Sequence, residues 1–305
     1  MKYLWLFPGQ GGQKAGMLQK IDPTLKSKVE SWTGVKLVDS EKGYHNSQQI
    51  QLSILLLQVQ QIDQLKEKGW LPDIVAGHSL GVFAAAYAAG VINREDVFKL
   101  VSLRASLMQS SFPIGYGMGV VVGLSRQEVG NLVQQVNTEK DPVFLSNQNS
   151  ELQNTLSGKI TAIQAVLQLA KESGAAKAKL LQVPNPSHSP LMQSVADKLT
   201  KQIGQFELHS PTCIYLANNN GHPVKNIAEI SYDLANNLTH PVFWETMIDV
   251  ALEYNPQVSV EFAPGTAFTK LLKAKTNQLA NITLANMTID DADFLLHKWK
   301  GKDND

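Results

Sequence analysis

The segment Gly77–Gly81 reads Gly-His-Ser-Leu-Gly and fits the G-x-S-x-G pattern of a nucleophile elbow. In such an elbow a serine lies on a sharp turn between a strand and a helix, and the glycines leave room for the turn. The apolar run 74–76 and the small, apolar run 80–89 predict that strand and that helix. A chance Gly/Ser turn gives the same five letters, but this context indicates Ser79 as a nucleophile. The Leu80 N–H would then point at an oxyanion from the helix N-terminus.

A serine nucleophile needs a base, and the chain has seven histidines. His188 lies in the proline-rich segment 183–190, a rigid loop after a predicted strand, and is a candidate from its position. His78 adjoins the nucleophile, but its side chain should leave the elbow in another direction. His240 precedes a proline and has no evident role. Polar or terminal surroundings predict surface positions for His45, His209, His222 and His297.

The orienting group for a catalytic histidine is not evident from the acidic residues. In hydrolases with this elbow an Asp or Glu usually lies between the serine and the histidine. No acidic residue between positions 79 and 188 sits at an obvious strand end. The sequence therefore favours a Ser–His pair that is oriented by something other than a carboxylate.

Arg104 falls in the middle of an apolar helix face. Asn93 is a predicted N-cap, and at about 100° per residue the helix 93–109 gathers its apolar side chains on one side. Burying a guanidinium without a partner is costly. One interpretation is an ion pair with a buried acid, or a side chain that reaches the solvent. The other is a clamp for a free carboxylate on an acyl group, because the guanidinium fork binds carboxylates through two hydrogen bonds.

A glycine-rich loop, 7–13, follows the first predicted strand, 3–7. It matches neither the dinucleotide-binding pattern nor the Walker pattern, so it is weak as a phosphate cradle. Glycine also permits a close approach of backbone to a ligand. The loop could therefore bring a second backbone N–H to the reacting carbonyl.

Length, charge and cysteine content restrict the class of protein. The 305 residues suffice for one large α/β domain or two smaller ones. The formal net charge is zero, which gives no electrostatic case for nucleic acid or an anionic membrane as partner. The single cysteine, Cys213, excludes an internal disulfide and a thiolate metal cluster. We expect a soluble, cytoplasmic protein, because no segment resembles a signal peptide or a spanning helix.

Alternating strands and helices at both ends of the chain predict a parallel sheet with helices on both faces. The middle of the chain has the order β-α-β-β-α-β of a ferredoxin-like unit, and its last strand is expected at 179–183. We predict a large α/β domain in two parts, 1–117 and 185–305, and an inserted small domain, 118–184. The tail 301–305 is predicted to be frayed.

These segments together resemble the malonyl-CoA:acyl-carrier-protein transacylase family from end to end. Each matching block is modest, but their order and spacing are specific. The blocks are 7–13, 77–81, Arg104, Ser187–His188, Pro241–Val242 with Trp244, and Pro264–Gly265. The family fold is an α/β-hydrolase-like large domain with an inserted ferredoxin-like domain, which agrees with the prediction from the residues.

The resemblance implies roles for the candidate residues. Ser79 attacks a thioester, and His188 is the general base and then the acid for the leaving thiol. Gln10 and Leu80 supply the N–H groups of an oxyanion hole. Arg104 holds the free carboxylate that malonyl carries and acetyl lacks.

The resemblance also implies two supporting residues and the partners. Gln51 resembles a family glutamine that lines the site, and the main-chain carbonyl of Asn237 corresponds to the group that orients the histidine. Malonyl-CoA and an acyl carrier protein, which bears the phosphopantetheine-type thiol, are the implied partners. Neither a metal nor any other cofactor is expected.

Some positions depart from the transacylases of fatty-acid synthesis, which usually have Glu where this chain has Val82. The segments 38–40, 51–53 and 112–118 also look more like the epsilon subunit of malonate decarboxylase. We therefore expect that subunit, with other decarboxylase subunits as partners, and keep fatty-acid or polyketide synthesis as the alternative. Two rivals from other classes are a serine esterase or thioesterase and a non-catalytic subunit that docks the carrier.

Overall fold

A computed structural model describes residues 1–302, which form ten strands and eleven α-helices. In chain order the strands are β1 (Tyr3–Phe7), β2 (Ile74–Gly77), β3 (Tyr116–Val122), β4 (Val143–Ser150), β5 (Gln153–Lys159), β6 (Lys177–Leu180), β7 (Ile214–Leu216), β8 (Pro223–Val224), β9 (Val258–Glu261) and β10 (Ala280–Thr283). Of the tail predicted to be frayed, residues 303–305 lie outside the described residues.

The helices alternate with the strands along most of the chain. They are α1 (Pro23–Thr33), α2 (Ser47–Glu67), α3 (Gly81–Ala88), α4 (Arg94–Ser111), α5 (Arg126–Val136), α6 (Ile160–Glu172), α7 (Gln193–Ile203), α8 (Ile227–Asn236), α9 (Trp244–Glu253), α10 (Ala267–Lys275) and α11 (Ile289–Lys302). Within residues 1–302, none of these helices combines the length and the apolar character needed to cross a membrane.

The larger sheet has the strand order β10-β9-β1-β2-β7-β8. Its first five strands are parallel, and β8 is a short antiparallel edge strand. Strand β1 shows why both faces are covered. Trp5 and Phe7 pack into the core on one face, Leu4 and Leu6 pack into the core on the other, and all four side chains are buried.

The carboxyl ends of parallel strands share one edge of the sheet, and ligands of open α/β sheets bind there. Strand β2 lies between β1 and β7. The segments that follow Phe7, Gly77 and Leu216 therefore meet at one place. Two of them are the glycine-rich loop and the predicted elbow.

The smaller sheet has the order β4-β5-β3-β6 and is antiparallel throughout. Helices α5 and α6 pack on it around a core of its own, which includes Val121, Leu156 and Ile163. The connectivity β-α-β-β-α-β is the predicted ferredoxin-like one. The mixed α/β fold with two sheets thus confirms the predicted fold class.

The last strand of the smaller sheet differs from its prediction at 179–183. Strand β6 begins at Lys177 because this residue pairs with Val122 at the end of β3, and it ends at Leu180. Strand β3 begins before the predicted domain boundary at 118. The boundaries at 118 and 184 stay predictions.

The end of β4 is hydrogen-bonded to two loops outside the smaller sheet. The Gln148 N–H donates to the Val242 carbonyl at 2.9 Å, and the Ser146 hydroxyl donates to the Ser187 carbonyl at 3.3 Å. The smaller sheet is thereby held next to the segment that carries His188.

The turn between β2 and α3 leaves no room for side chains on its glycines. A Cβ on Gly81 would overlap the carbonyl oxygen of Phe7, and a Cβ on Gly77 would overlap the Gly81 carbonyl. Both obstacles are backbone atoms, which cannot rotate away. Helix α3 can therefore start against the end of β1 only with glycine at these positions.

We expect Gly81→Ala to lower the free energy of unfolding by about 2 kcal/mol or more, because overpacking against a fixed backbone is costly. Gly301→Ala is the matched control in a helix, since no atom lies within 4 Å of its added Cβ. The control should be neutral or stabilising by about 0.5–1 kcal/mol. Urea unfolding followed by circular dichroism measures both, and equal unfolding midpoints for the two variants would contradict the steric argument.

Candidate active site

Ser79 occupies the turn between β2 and α3 with a φ of 54°. A left-handed φ is uncommon for a residue other than glycine and costs of order 1–3 kcal/mol unless its surroundings hold it. Here the Ser79 N–H donates to the side-chain oxygen of Asn218 at 2.9 Å. The strained backbone is thus held by a specific hydrogen bond.

The structure brings His188 to the serine. Its Nε2 lies 2.8 Å from the Ser79 Oγ, and its Nδ1 lies 2.8 Å from the Asn237 carbonyl oxygen and 3.2 Å from that of His240. Carbonyl oxygens only accept, so Nδ1 carries the proton and donates to them. Nε2 is then free to accept the Ser79 hydroxyl proton, as a general base must.

Burial keeps the His188 imidazole neutral. Its side chain is buried, and this desolvation lowers the pKa of His188 to about 3. The nearby His78 and the charge of Arg104 contribute to this lowering, and the hydrogen bonds to the Asn237 and His240 carbonyls oppose it. The ring can therefore act as a base at neutral pH, and a proton that it receives is readily passed on.

Arg104 lies beside the same hydroxyl. Its side chain is only 1% exposed, its NH1 donates to the Gln51 Oε1 at 2.5 Å, and its NH2 donates to the Ser79 Oγ at 3.3 Å. Among residues 1–302 no carboxylate forms an ion pair with it, and its Nε has no partner. The interpretation of Arg104 as half of a structural ion pair therefore fails.

The charge of Arg104 survives its burial. Desolvation lowers the pKa of this guanidinium to about 9, which still leaves it protonated at pH 7. A buried charge without a counter-ion is destabilising, and a ligand carboxylate would relieve that cost. The arrangement suits a substrate that brings its own negative charge.

Gln51 is buried on α2 and faces Arg104 from the opposite helix. Its amide nitrogen donates to the Ser47 hydroxyl at 2.9 Å and lies 3.3 Å from the Met108 sulfur. These contacts direct the amide oxygen at the guanidinium. Gln51 therefore orients the arginine and leaves the rest of its fork available.

Two backbone N–H groups next to Ser79 are unpaired. Within residues 1–302, neither the Leu80 nor the Gln10 N–H donates to a protein acceptor. Leu80 follows the serine directly at the start of α3. The loop with Gln10 approaches closely, since a Cβ on Gly9 would lie 2.8 Å from the His78 carbonyl oxygen and 3.6 Å from the Ser79 Cβ. Free N–H donors beside a nucleophile can stabilise an oxyanion.

The remaining histidines lie away from the reacting atoms. The His78 ring points away from the Ser79 hydroxyl, packs against Trp244 and Phe268, and its Nε2 lies 2.9 Å from the Asn149 Oδ1. Burial lowers the pKa of His78 to about 4. The four histidines predicted at the surface are exposed: His45, His209, His222 and His297.

Two polar residues at this edge were not predicted. Asn218 follows β7 and contacts the elbow, and Asp233 on α8 accepts the Asn218 N–H at 2.9 Å. The available signal was the position of Asn218 just after a strand that ends at the same sheet edge as the elbow strand. The pairing of β2 with β7, which brings the two segments together, could not be read from the sequence.

Among residues 1–302, side chains of the metal-binding types do not cluster. No group of three or more His, Cys, Asp or Glu side chains there is arranged to hold a metal ion. The site as described consists of a hydroxyl, an imidazole, a guanidinium and backbone N–H groups. Such a set can transfer an acyl group through an ester on the serine.

Comparison with known proteins agrees with this chemistry. The family model described as acyl transferase domain matches residues 4–298. The malonyl CoA-acyl carrier protein transacylase of Haemophilus influenzae is 30% identical over 300 residues, which cover 93% of this chain and 95% of the relative.

Solved structures share the whole fold. FabD from Acinetobacter baumannii superposes with a TM-score of 0.90 at 29% identity, covering 96% of this chain and 98% of the other. A type II PKS acyl-carrier protein in complex with its malonyl-transacylase gives a TM-score of 0.89 at 28% identity, covering 95% of this chain and 97% of the other. The chain is an acyltransferase and belongs to the acyl transferase family, as its resemblance to the malonyl-CoA:acyl-carrier-protein transacylases predicts.

Proposed function

We propose that the chain transfers a malonyl group from malonyl-CoA to the thiol of an acyl carrier protein through an ester on Ser79. One observation carries this proposal: the Ser79 Oγ lies 2.8 Å from the His188 Nε2 and 3.3 Å from the Arg104 NH2. A nucleophile, its base and an unpaired cation therefore surround one atom. The names of the relatives support malonyl and acyl carrier protein as the substrates.

Acylation begins with attack of the Ser79 oxygen on the thioester carbonyl while His188 takes the hydroxyl proton. The carbonyl oxygen becomes an oxyanion, and the N–H groups of Leu80 and Gln10 donate to it. Removal of one such donor typically costs about 3–4 kcal/mol of barrier. The intermediate collapses, His188 returns the proton to the CoA sulfur, and free CoA leaves.

The second half reaction runs in reverse on a different thiol. His188 takes the proton of the carrier's thiol, the sulfur attacks the ester, and Ser79 leaves with the proton. The product is a malonyl thioester on the carrier. Water in place of the thiol would make the enzyme a hydrolase.

Selectivity for malonyl follows from the charge of Arg104. The malonyl group carries a carboxylate at the end remote from the thioester, and the guanidinium fork can bind it through two hydrogen bonds. An acetyl group leaves that cation buried and unpaired, which is unfavourable. Gln51 holds the fork in place through its 2.5 Å hydrogen bond.

We infer that the carrier protein belongs to fatty-acid or polyketide synthesis, which is the alternative that the sequence left open. The relatives reported above are named malonyl transacylases, and one is bound to a PKS carrier. They favour a carrier protein of fatty-acid or polyketide synthesis over a malonate decarboxylase subunit. Val82 and the segment 112–118 are the features that keep the decarboxylase as the alternative. Transfer rates to purified carriers of both kinds distinguish the two.

We expect Ser79→Ala to form no covalent adduct with malonyl-CoA, because the variant lacks the attacking oxygen. After the wild-type enzyme is mixed with malonyl-CoA, intact-protein mass spectrometry detects the malonyl ester. Ser106→Ala, on the exposed side of α4, is the control and should be acylated normally. A malonyl adduct on Ser79→Ala would refute the nucleophile, and release of malonate without transfer to a carrier would identify a hydrolase. If the chain were a non-catalytic docking subunit, neither the wild type nor either variant would form an adduct.

Replacement of Arg104 by alanine should lower kcat/KM for malonyl transfer by about 10- to 100-fold, the range for a hydrogen bond to a charged group. Acetyl transfer should fall less, so the malonyl/acetyl ratio decreases. Arg104→Lys should recover part of the rate, since it keeps the charge but not the fork. Lys99→Ala, exposed on the same helix, is the control. An unchanged malonyl/acetyl ratio in Arg104→Ala would exclude the clamp.

The depressed pKa of His188 predicts the acid limb of the pH profile. A base loses activity as the pH falls through its folded-state pKa, so the His188 limb of kcat/KM lies near pH 3 and not near its ordinary 6.5. Nuclear magnetic resonance of ¹⁵N-histidine-labelled enzyme measures this pKa directly. Arg104→Ala should raise it, because the cation no longer repels the imidazolium. A wild-type His188 that titrates near 6.5 would contradict the proposed environment.

A further inference from the structure

The Asn218 side chain is 1% exposed and uses both ends of its amide on the elbow. Its oxygen accepts the Ser79 N–H at 2.9 Å, and its nitrogen donates to the Gly77 carbonyl at 2.6 Å. The amide therefore bridges the residues on either side of His78. It holds the elbow from the side opposite to the glycine-rich loop, because β2 lies between β1 and β7.

Asn218 is itself held by hydrogen bonds to its backbone. Its backbone N–H donates to the Asp233 Oδ1 at 2.9 Å, and the Tyr215 hydroxyl donates to the Asp233 Oδ2 at 2.9 Å. The Asn218 carbonyl accepts the Phe243 N–H at 3.0 Å. Asp233 is buried and faces only donors in this network. The backbone of Asn218 is thus held at both its N–H and its carbonyl, and Asp233 is itself fixed by Tyr215.

Helix α8 connects this network to the histidine. Asp233 lies in its last turn, and the N–H of its C-cap residue Asn237 donates to the Asp233 carbonyl at 3.0 Å. The Asn237 carbonyl accepts the His188 Nδ1–H at 2.8 Å. One helical turn therefore holds the nucleophile through a side chain and the base through a backbone carbonyl.

We propose that Asn218 is a positioning residue, anchored by Asp233, that keeps Ser79 in its left-handed conformation at hydrogen-bond distance from His188. This role rests on the proposed function of Ser79 as the acylated nucleophile. The Ser79 hydroxyl oxygen must stand at the end of β2 for attack, and the serine backbone holds it there with a strained φ. Asn218 is the side chain that caps the serine's own N–H in that conformation.

The test uses Asn218→Ala and Asn218→Asp in the full chain, with Asn220→Ala as the control, since Asn220 is exposed in the same turn. Rapid-quench mass spectrometry measures the rate of Ser79 acylation at several malonyl-CoA concentrations. Asn218→Ala should lower the maximal acylation rate about 100-fold, the effect of a small misplacement of a reacting group. The apparent KM should change little because Arg104 still binds the carboxylate.

Asn218→Asp adds a signature that a purely structural role does not produce. Its ionised carboxylate can accept the Ser79 N–H but repels the Gly77 carbonyl. Its protonated form can donate to that carbonyl as the amide does. Burial favours the protonated form, so the acylation rate relative to wild type should rise at least tenfold between pH 8 and pH 5.5. The ratio to wild type removes titrations that both proteins share. Asp233 is the neighbouring group that titrates in this range, because burial raises its pKa to about 6, and the wild-type profile reports its contribution. Burial raises the pKa of Tyr215 well above its ordinary value and lowers that of His78 to about 4, so both stay neutral in this range.

The outcomes separate the two proposals. A wild-type enzyme that forms no malonyl ester overturns both. A wild type that is acylated together with an Asn218→Ala variant within threefold of it overturns the positioning role alone. If Asn218→Ala does not fold, the Asn218→Asp ratio decides: a rise at low pH supports the role, and a ratio that stays constant with pH overturns it.

Discussion

The tight turn between β2 and α3 is the constraint on which the rest of the site depends. Gly81 starts a helix against the carbonyl of Phe7, and Ser79, two residues before it, has a left-handed φ of 54°. That conformation brings the hydroxyl out at the sheet edge and leaves the Leu80 N–H unpaired beside it. His188 and Arg104 then contact this hydroxyl, and Asn218 contacts the backbone of the turn that carries it.

The electrostatics of the pocket favour an anionic acyl group. The imidazole of His188 is kept neutral by burial, while the Arg104 guanidinium stays charged at pH 7. Among residues 1–302, no acidic side chain pairs with that guanidinium. The cation also disfavours a second positive charge on the histidine, which in the proposed mechanism favours transfer of the Ser79 proton to the leaving thiol. The Arg104 charge therefore contributes to both substrate selection and proton transfer in the proposed mechanism, although burial is the larger influence on His188.

Sequence patterns located the residues whose signals are local. The elbow identified Ser79, and helical periodicity placed Arg104 on a buried face. His188 was only a candidate until the resemblance assigned it, because a proline-rich loop is not specific. Asn218 and Asp233 were missed, since their function arises from strand pairing and from packing of α8, both of which join residues far apart in the chain. The same reason explains the offset of β6, whose start is set by its partner strand.

The histidine's orienting atoms are peptide oxygens, and this has a consequence for genetics. Exchange of the Asn237 or His240 side chain does not remove those oxygens, so alanine scanning would pass over their contact with His188. Only changes that move the main chain at the end of α8 would reveal it. Selection on these oxygens therefore acts through backbone shape, while the buried Asn237 side chain must also fit its surroundings.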